Sequence, residues 1–111
     1  MTTKCGTLIR EARKKSGRTP TDVSRDAGLS VAYLLEIERG TRPVRSERRM
    51  RSICASIGLD LRDLMFATIS DRKGVCLEPE SDEEIELCAR FASAYRDLSP
   101  AQRKRALALF E

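Results

Sequence analysis

A chain of 111 residues, 41% hydrophobic and 34% charged, has room for one compact helical domain of about 65 residues and a small appendage. No apolar run approaches the ~20 residues a bilayer span needs, and the N-terminal MTTKCGTLIREARKK lacks a signal-peptide apolar core, so a cytoplasmic protein with no membrane partner is expected. The net charge of +4 is uneven: residues 1–59 hold 13 Lys and Arg against 6 Asp and Glu, whereas residues 60–111 hold 8 against 11, so the first part suits a polyanion and the second does not.

Residues 6–16, GTLIREARKKS, form the first expected helix, with Leu8, Ile9 and Ala12 inward and Gly17 ending it. Arg13 lies one turn beyond Ile9, points partly inward and so needs a partner. Residues 20–40 read as two short helices joined by a tight turn. Thr19 is the N-cap of the first, Pro20 suits its first position and Asp22 its first turn. Gly28 ends that helix, Ser30 caps the second, and Gly40 stops it. Val23, Ser24, Ala27, Leu29, Leu34 and Ile37 are the inward positions, with Ser24 and Ala27 small enough for a close crossing. This is the pattern of a helix-turn-helix unit.

Thr41 to Arg45 form a loop, since Pro43 prevents simple continuation of the helix. Ser46 caps a fourth helix with Met50, Ile53, Cys54 and Ile57 on one stripe. Arg42, Arg45, Arg48, Arg49 and Arg51 gather around its start, where free backbone N–H groups and cations make a phosphate cradle. A short fifth helix after Asp60 closes the core with Leu61, Leu64 and Met65. Residues 67–80 read as a linker, within which VCL forms a short extended segment.

A second segment, residues 81–111, reads as a helical hairpin. Ser81 and Glu84 offer a capping box, and Ile85, Cys88, Phe91, Ala92, Tyr95 and Leu98 follow a 3–4 spacing. Ser99 starts a last helix over 100–110 that contributes Leu107 and Phe110. Such a hairpin has too little surface to stand alone. It pairs with a second copy, docks on its own N-terminal domain, or takes a partner helix. The four cysteines form no Cys-x-x-Cys pair and the chain has no histidine, so neither a metal site nor a cofactor is expected. Cys54 and Cys88 fall on apolar faces and are expected to be buried, with Cys5 and Cys76 more exposed.

Over residues 8–65, LIREARKKSG, a helix ending AGLS, YLLEIERG, a basic Pro-containing loop and ICASIGLDLRDLM resemble the helix-turn-helix domain of the phage repressor and Cro family, also called the xenobiotic-response-element (XRE) family. The resemblance implies an all-α fold: a five-helix domain over residues 1–66 that docks its third helix in the DNA major groove, followed by the C-terminal hairpin. It also implies an interior ion pair between Arg13 and Glu38. The positions it marks for base reading are Ser30, Val31, Ala32, Tyr33, Leu35 and Glu36, which lack the Gln, Arg and Asn that make the strongest bidentate base contacts. Val31 and Ala32 suit thymine methyls and Glu36 a cytosine amino group, while Tyr33 either bonds a phosphate or packs on the domain. Pro20 replaces the family's common glutamine, leaving Thr19 and Thr21 to take its phosphate contact. The C-terminal YRDLSPAQRKRALALF is similar to the tails of two-domain repressors, some of which dimerise through such a hairpin.

The expected function is a sequence-specific regulator, a repressor binding double-stranded DNA at an inverted repeat as a homodimer, with Arg42, Arg45, Arg48 and Arg49 on phosphates. The alternative is a protein-interaction module, an antitoxin or antiactivator that turns the same fold and its apolar helices toward a protein partner. An enzyme is the poorest reading, since no Ser/His or Cys/His pair, glycine-rich phosphate loop or metal-ligand cluster can be found.

Overall fold

In the computed structural model, which describes residues 2–111, each α-helix begins where a side chain caps the free N–H groups of its first turn. Helix α1 (Lys4–Lys15) is capped by Thr3, whose hydroxyl accepts from the Gly6 N–H at 2.9 Å. Helix α2 (Pro20–Ala27) opens with a reciprocal Thr19–Asp22 capping box and Pro20 at its first position. It ends at Gly28 with φ +68°, the left-handed conformation that turns the chain into α3. Helices α3 (Val31–Arg39), α4 (Glu47–Ile57) and α5 (Leu61–Ser70) are capped by Ser30, Ser46 and Asp60. Helix α6 (Asp82–Ala94), a 3-10 turn (Tyr95–Asp97) and helix α7 (Pro100–Ala108) follow. The fold is all-α; among the described residues the one β-bridge is an isolated parallel pairing of Ser46 with Cys76.

The chain divides into two compact units, one running to Glu78 and the other from Pro79 to Glu111. In the first, α1 packs against α3 and α5, and α2 against α3 and α4. Their shared interior holds Ile9, Val23, Leu34, Ile37, Met50, Ile53, Ile57 and Leu64, with Val44 of the loop wholly buried among them. The expected inward residues all face this core, with Leu8, Ala12, Ala27, Leu29, Leu61 and Met65 only partly covered at its margin.

Three features depart from expectation. Helix α1 begins at Lys4, two residues early, because Thr3 supplies a cap; Cys5 then falls one turn before Ile9 and is buried, not exposed. Helix α5 runs on through Phe66 to Ser70, into the expected linker, because Ala67 and Thr68 continue its buried stripe. Its end is tied to the start of α1 by Asp71, whose carboxylate accepts from the Lys4 and Cys5 N–H groups at 2.9 Å each. Cys88 is only partly covered, since no residue of α6 or α7 is buried. Burial pushes the Cys54 thiol up to about 11, so it stays protonated and behaves as a small core residue.

In the second unit Ser81 caps α6, but Glu84 bonds the Glu80 N–H in place of the Ser81 N–H, so only half of the expected capping box forms. Ser99 and Gln102 do form a complete box at α7. The rings of Phe91 and Tyr95 stack at 5.5 Å, and with Arg96, Leu98, Arg103, Ala106 and Leu107 they line a cleft of about 580 Å³. Ile85, Leu87, Phe91, Tyr95, Leu107, Leu109 and Phe110 are exposed. No described helix is long and apolar enough to cross a membrane.

Candidate nucleic-acid interface

Helix α3 is positioned by the residues it turns inward. Leu34 and Ile37 enter the core, and between them and α1 lies Glu38, 4% exposed. Glu38 accepts from Arg13 Nε at 2.8 Å through Oε2 and from Arg13 Nη2 at 2.9 Å through Oε1. The third donor direction of Arg13 is filled by the Arg18 carbonyl, 3.2 Å from Nη1. The carboxylate raises the guanidinium's pKa, so the arginine stays charged in the interior. This two-pronged bond fixes how α3 is rotated on α1, and hence which side chains α3 presents outward.

The outward set includes Val31 and Ala32, both exposed, with Tyr33, Leu35 and Glu36 partly covered. Ser30 is spent on the cap, accepting from the Tyr33 N–H at 3.0 Å. Of the two roles open to Tyr33, the structure shows packing: its hydroxyl donates to the Pro43 carbonyl at 3.2 Å. Guanidinium groups of Arg42 and Arg49 lie 4.4 and 5.6 Å from the centre of its ring. A tyrosine face attracts a cation without neutralising it, so the ring gathers two arginines, of which Arg49 has no carboxylate partner among the described residues. Glu36 is not free, for Arg42 Nη1 lies 3.4 Å from its Oε2. Its carboxylate therefore offsets part of the charge that Arg42 brings.

Tyr33 thus joins the start of α3, the loop and the start of α4 into one surface. Arg45 and Arg49 make no ion pair among the described residues, and both are exposed. Arg48 pairs with Glu78 at 3.6 Å. Thr19 and Thr21 are exposed at the start of α2, with the Thr19 oxygen already accepting from the Asp22 N–H at 3.1 Å. Sequence reasoning missed Glu78, whose Oε1 accepts from the Ser46 hydroxyl at 2.5 Å and the Arg48 N–H at 2.9 Å. No sequence signal marked that contact, which spans about thirty residues and depends on Cys76 pairing with Ser46. It also missed the tie between α2 and α4, in which Asp26 accepts from Ser56 at 2.8 Å and pairs with Arg18. Among the described residues no group of three or more His, Cys, Asp or Glu is arranged to hold a metal.

A two-helix unit capped at both ends, braced by a buried ion pair and edged by arginines at a helix N-terminus, defines a helix-turn-helix protein. A model of the helix-turn-helix domain matches residues 5–65. The transcriptional regulator ClgR of Mycobacterium tuberculosis is 43% identical over 56 residues, which are 50% of this chain and 49% of that protein, so the match spans about half the length of the curated relative. The crystal structure of the clp gene regulator ClgR from C. glutamicum superposes with a TM-score of 0.53 at 28% identity, over 61% of this chain and 87% of that one. The restriction-modification controller protein C.AhdI from Aeromonas hydrophila does so at 0.51 and 27%, over 56% and 92%. The chain belongs to the XRE-type helix-turn-helix family of DNA-binding regulators. Its relatives are regulators of transcription, not enzymes.

Proposed function

We propose that the chain is a sequence-specific DNA-binding transcriptional regulator, a cytoplasmic homodimer that represses by occluding a promoter at an inverted-repeat operator. The observation that carries this reading is the surface gathered by Tyr33, where Arg42, Arg45, Arg48 and Arg49 edge an outward-facing α3. In this reading the arginines neutralise phosphates, with Thr19 and Thr21 at the far edge, and residues 30–36 choose the bases. Residues 1–66 bind DNA and residues 81–111 dimerise. Two copies set their recognition helices about one DNA turn apart, which is what an inverted repeat requires.

The test is fluorescence anisotropy against DNA from upstream of the protein's own gene, beside scrambled DNA, at several salt concentrations. The wild type is expected to prefer the upstream duplex by about 10³-fold or more. Arg45→Ala and Arg49→Ala are expected to weaken binding about equally on all sequences, each making the slope of log affinity against log salt shallower by roughly 0.9. Glu36→Ala is expected to change which bases are preferred. Equal affinity for every sequence would leave only a basic surface.

Dimerisation rests on the apolar face of the second unit: Ile85, Cys88, Phe91 and Ala92 of α6, Tyr95 of the 3-10 turn, Leu98 after it, Leu107 of α7 and Phe110 just past its end, none of which is buried in a single chain. Phe91→Asp is expected to shift the full chain from dimer to monomer in sedimentation at micromolar concentration, since it places a charge in the centre of that face. A wild type that sediments as a monomer would mean that the hairpin docks elsewhere.

A second reading is favoured by the outward face of α3 itself, where Val31, Ala32 and Leu35 are apolar and Glu36 is tied to Arg42. That face suits a protein partner in an antitoxin or antiactivator. Failure to bind any DNA, with a stable one-to-one complex co-purifying from the native host, would establish it.

A further inference from the structure

The start of α4 is already occupied by an anion of the chain itself. After α5 the chain returns as a short strap, residues 75–78, along the end of the basic loop. The Cys76 N–H donates to the Arg45 carbonyl at 2.7 Å, and the Glu47 N–H donates to the Cys76 carbonyl at 3.0 Å. The Glu78 N–H closes the ladder on Glu47 Oε1 at 2.9 Å. These bonds bring the Glu78 carboxylate onto the first turn of α4, where Oε1 accepts from the Ser46 hydroxyl and the Arg48 N–H and Oε2 faces Arg48 Nε. An N-terminal N–H, a capping hydroxyl and a guanidinium converging on one oxyanion are what a backbone phosphate is offered at a helix start.

We propose that Glu78 is a built-in competitor of DNA: its carboxylate fills the α4 phosphate position in the free protein and must leave before a DNA phosphate takes it. This rests on the DNA-binding reading above and adds a regulating contact to it. A phosphodiester and a carboxylate carry the same single charge, so the position cannot hold both. The tether keeps the competitor at an effective concentration in the millimolar range. The carboxylate is ionised at neutral pH, since the Ser46 hydroxyl and Arg48 amide hold it below the usual carboxylate range. Its side chain is 33% exposed, so it can be exchanged without opening the core. It also lies near the cations that matter, paired with Arg48 and felt by Arg49, the arginine that Tyr33 gathers.

The experiment compares the full-length wild type with Glu78→Gln and Glu80→Gln on the upstream and scrambled duplexes across a salt series. Glutamine keeps one acceptor oxygen for the Ser46 hydroxyl and the Arg48 N–H, and removes the charge together with the second acceptor that faces Arg48 Nε. Glu80→Gln makes the same change in net charge two residues away at an exposed position. Glu78→Gln is expected to bind both duplexes about 3–10-fold more tightly at low salt, because phosphate contacts are sequence-independent, with a slope steeper by up to about 0.9. Glu80→Gln is expected to change affinity less than 2-fold. Equal gains from both variants would reduce the effect to net charge and overturn the proposal, as would a Glu78→Gln protein that melts like the wild type and binds no better. Should that variant not fold, the wild type decides: on DNA saturation the Glu78 carboxyl carbon and the Arg48 amide must shift in NMR spectra, and unmoved signals overturn the proposal. Wild-type protein that binds no DNA sinks the regulator reading and this competitor with it, an outcome distinct from binding that Glu78 does not influence.

Discussion

Glu38→Ala is expected to destabilise the N-terminal unit by about 3–5 kcal/mol, the cost of leaving one member of a buried ion pair without its partner. Arg13 is 9% exposed and its guanidinium has three filled donor directions, two of them on Glu38. Truncating the glutamate leaves a cation whose pKa the same carboxylate had raised, in a site where water reaches it poorly. For a unit of this size the loss corresponds to a fall in melting temperature of at least roughly 12 °C. Glu38→Gln retains the shape but not the charge, and is expected to fall between Ala and the wild type. The double variant Arg13→Met/Glu38→Leu is expected to recover most of the loss, because an apolar pair of similar volume demands no compensation. Thermal melts of the four proteins check this series. A single-variant loss under about 1 kcal/mol would mean that the pair contributes little to holding α3 on α1.

That pair also shows how far the sequence carries. Its partners are 25 residues apart, and spacing alone gave Arg13 an inward position but no partner; the family resemblance supplied Glu38. The caps were legible locally, since Thr19, Ser30, Ser46 and Asp60 each stand just ahead of an apolar stripe and each bonds its own first turn. Thr3 obeys the same rule and bonds the Gly6 N–H, but the helix expected over residues 6–16 began beyond it, at the glycine itself. The extension of α5 was obscured by Gly74 and Pro79, which mark the end of regular structure several residues too late to define the helix. Of the interface, the arginines were legible as a cluster. Their arrangement was not, because it depends on Tyr33 bonding the Pro43 carbonyl and on the strap that carries Glu78, contacts that only the folded chain makes. Which side chains α3 turns outward follows from the rotation of α3, and that rotation is fixed in the interior by Glu38 and by the close approach of α1.

Gly6 makes that close approach possible, and Gly6→Ala is expected to cost about 3 kcal/mol although alanine is the better helix former. A Cβ built on Gly6 would lie 2.4 Å from the Ile37 carbonyl oxygen and 2.7 Å from that of Glu38. Both are backbone atoms of the last turn of α3, so no side-chain rotation relieves the clash. Helices α1 and α3 must separate, which opens gaps around Ile9 and Ile37 and lengthens the Arg13–Glu38 bonds from 2.8 and 2.9 Å. The helical preference for alanine returns about 1 kcal/mol, while overpacking against a fixed wall, with the ion pair loosened, costs more than the 1–3 kcal/mol of an ordinary tight core. Gly74→Ala is the matched control, with nothing within 4 Å of its Cβ, and is expected to change stability by less than about 0.5 kcal/mol. Denaturant melts of both variants give the comparison, and binding to the upstream duplex adds a functional one. Gly6→Ala protein that remains folded is expected to lose discrimination between upstream and scrambled DNA, because α3 has shifted while the arginines on the loop and α4 remain. Equal stability of the two variants would show that α1 yields at Gly6 without disturbing α3, and the rotation of α3 would then rest on the ion pair alone.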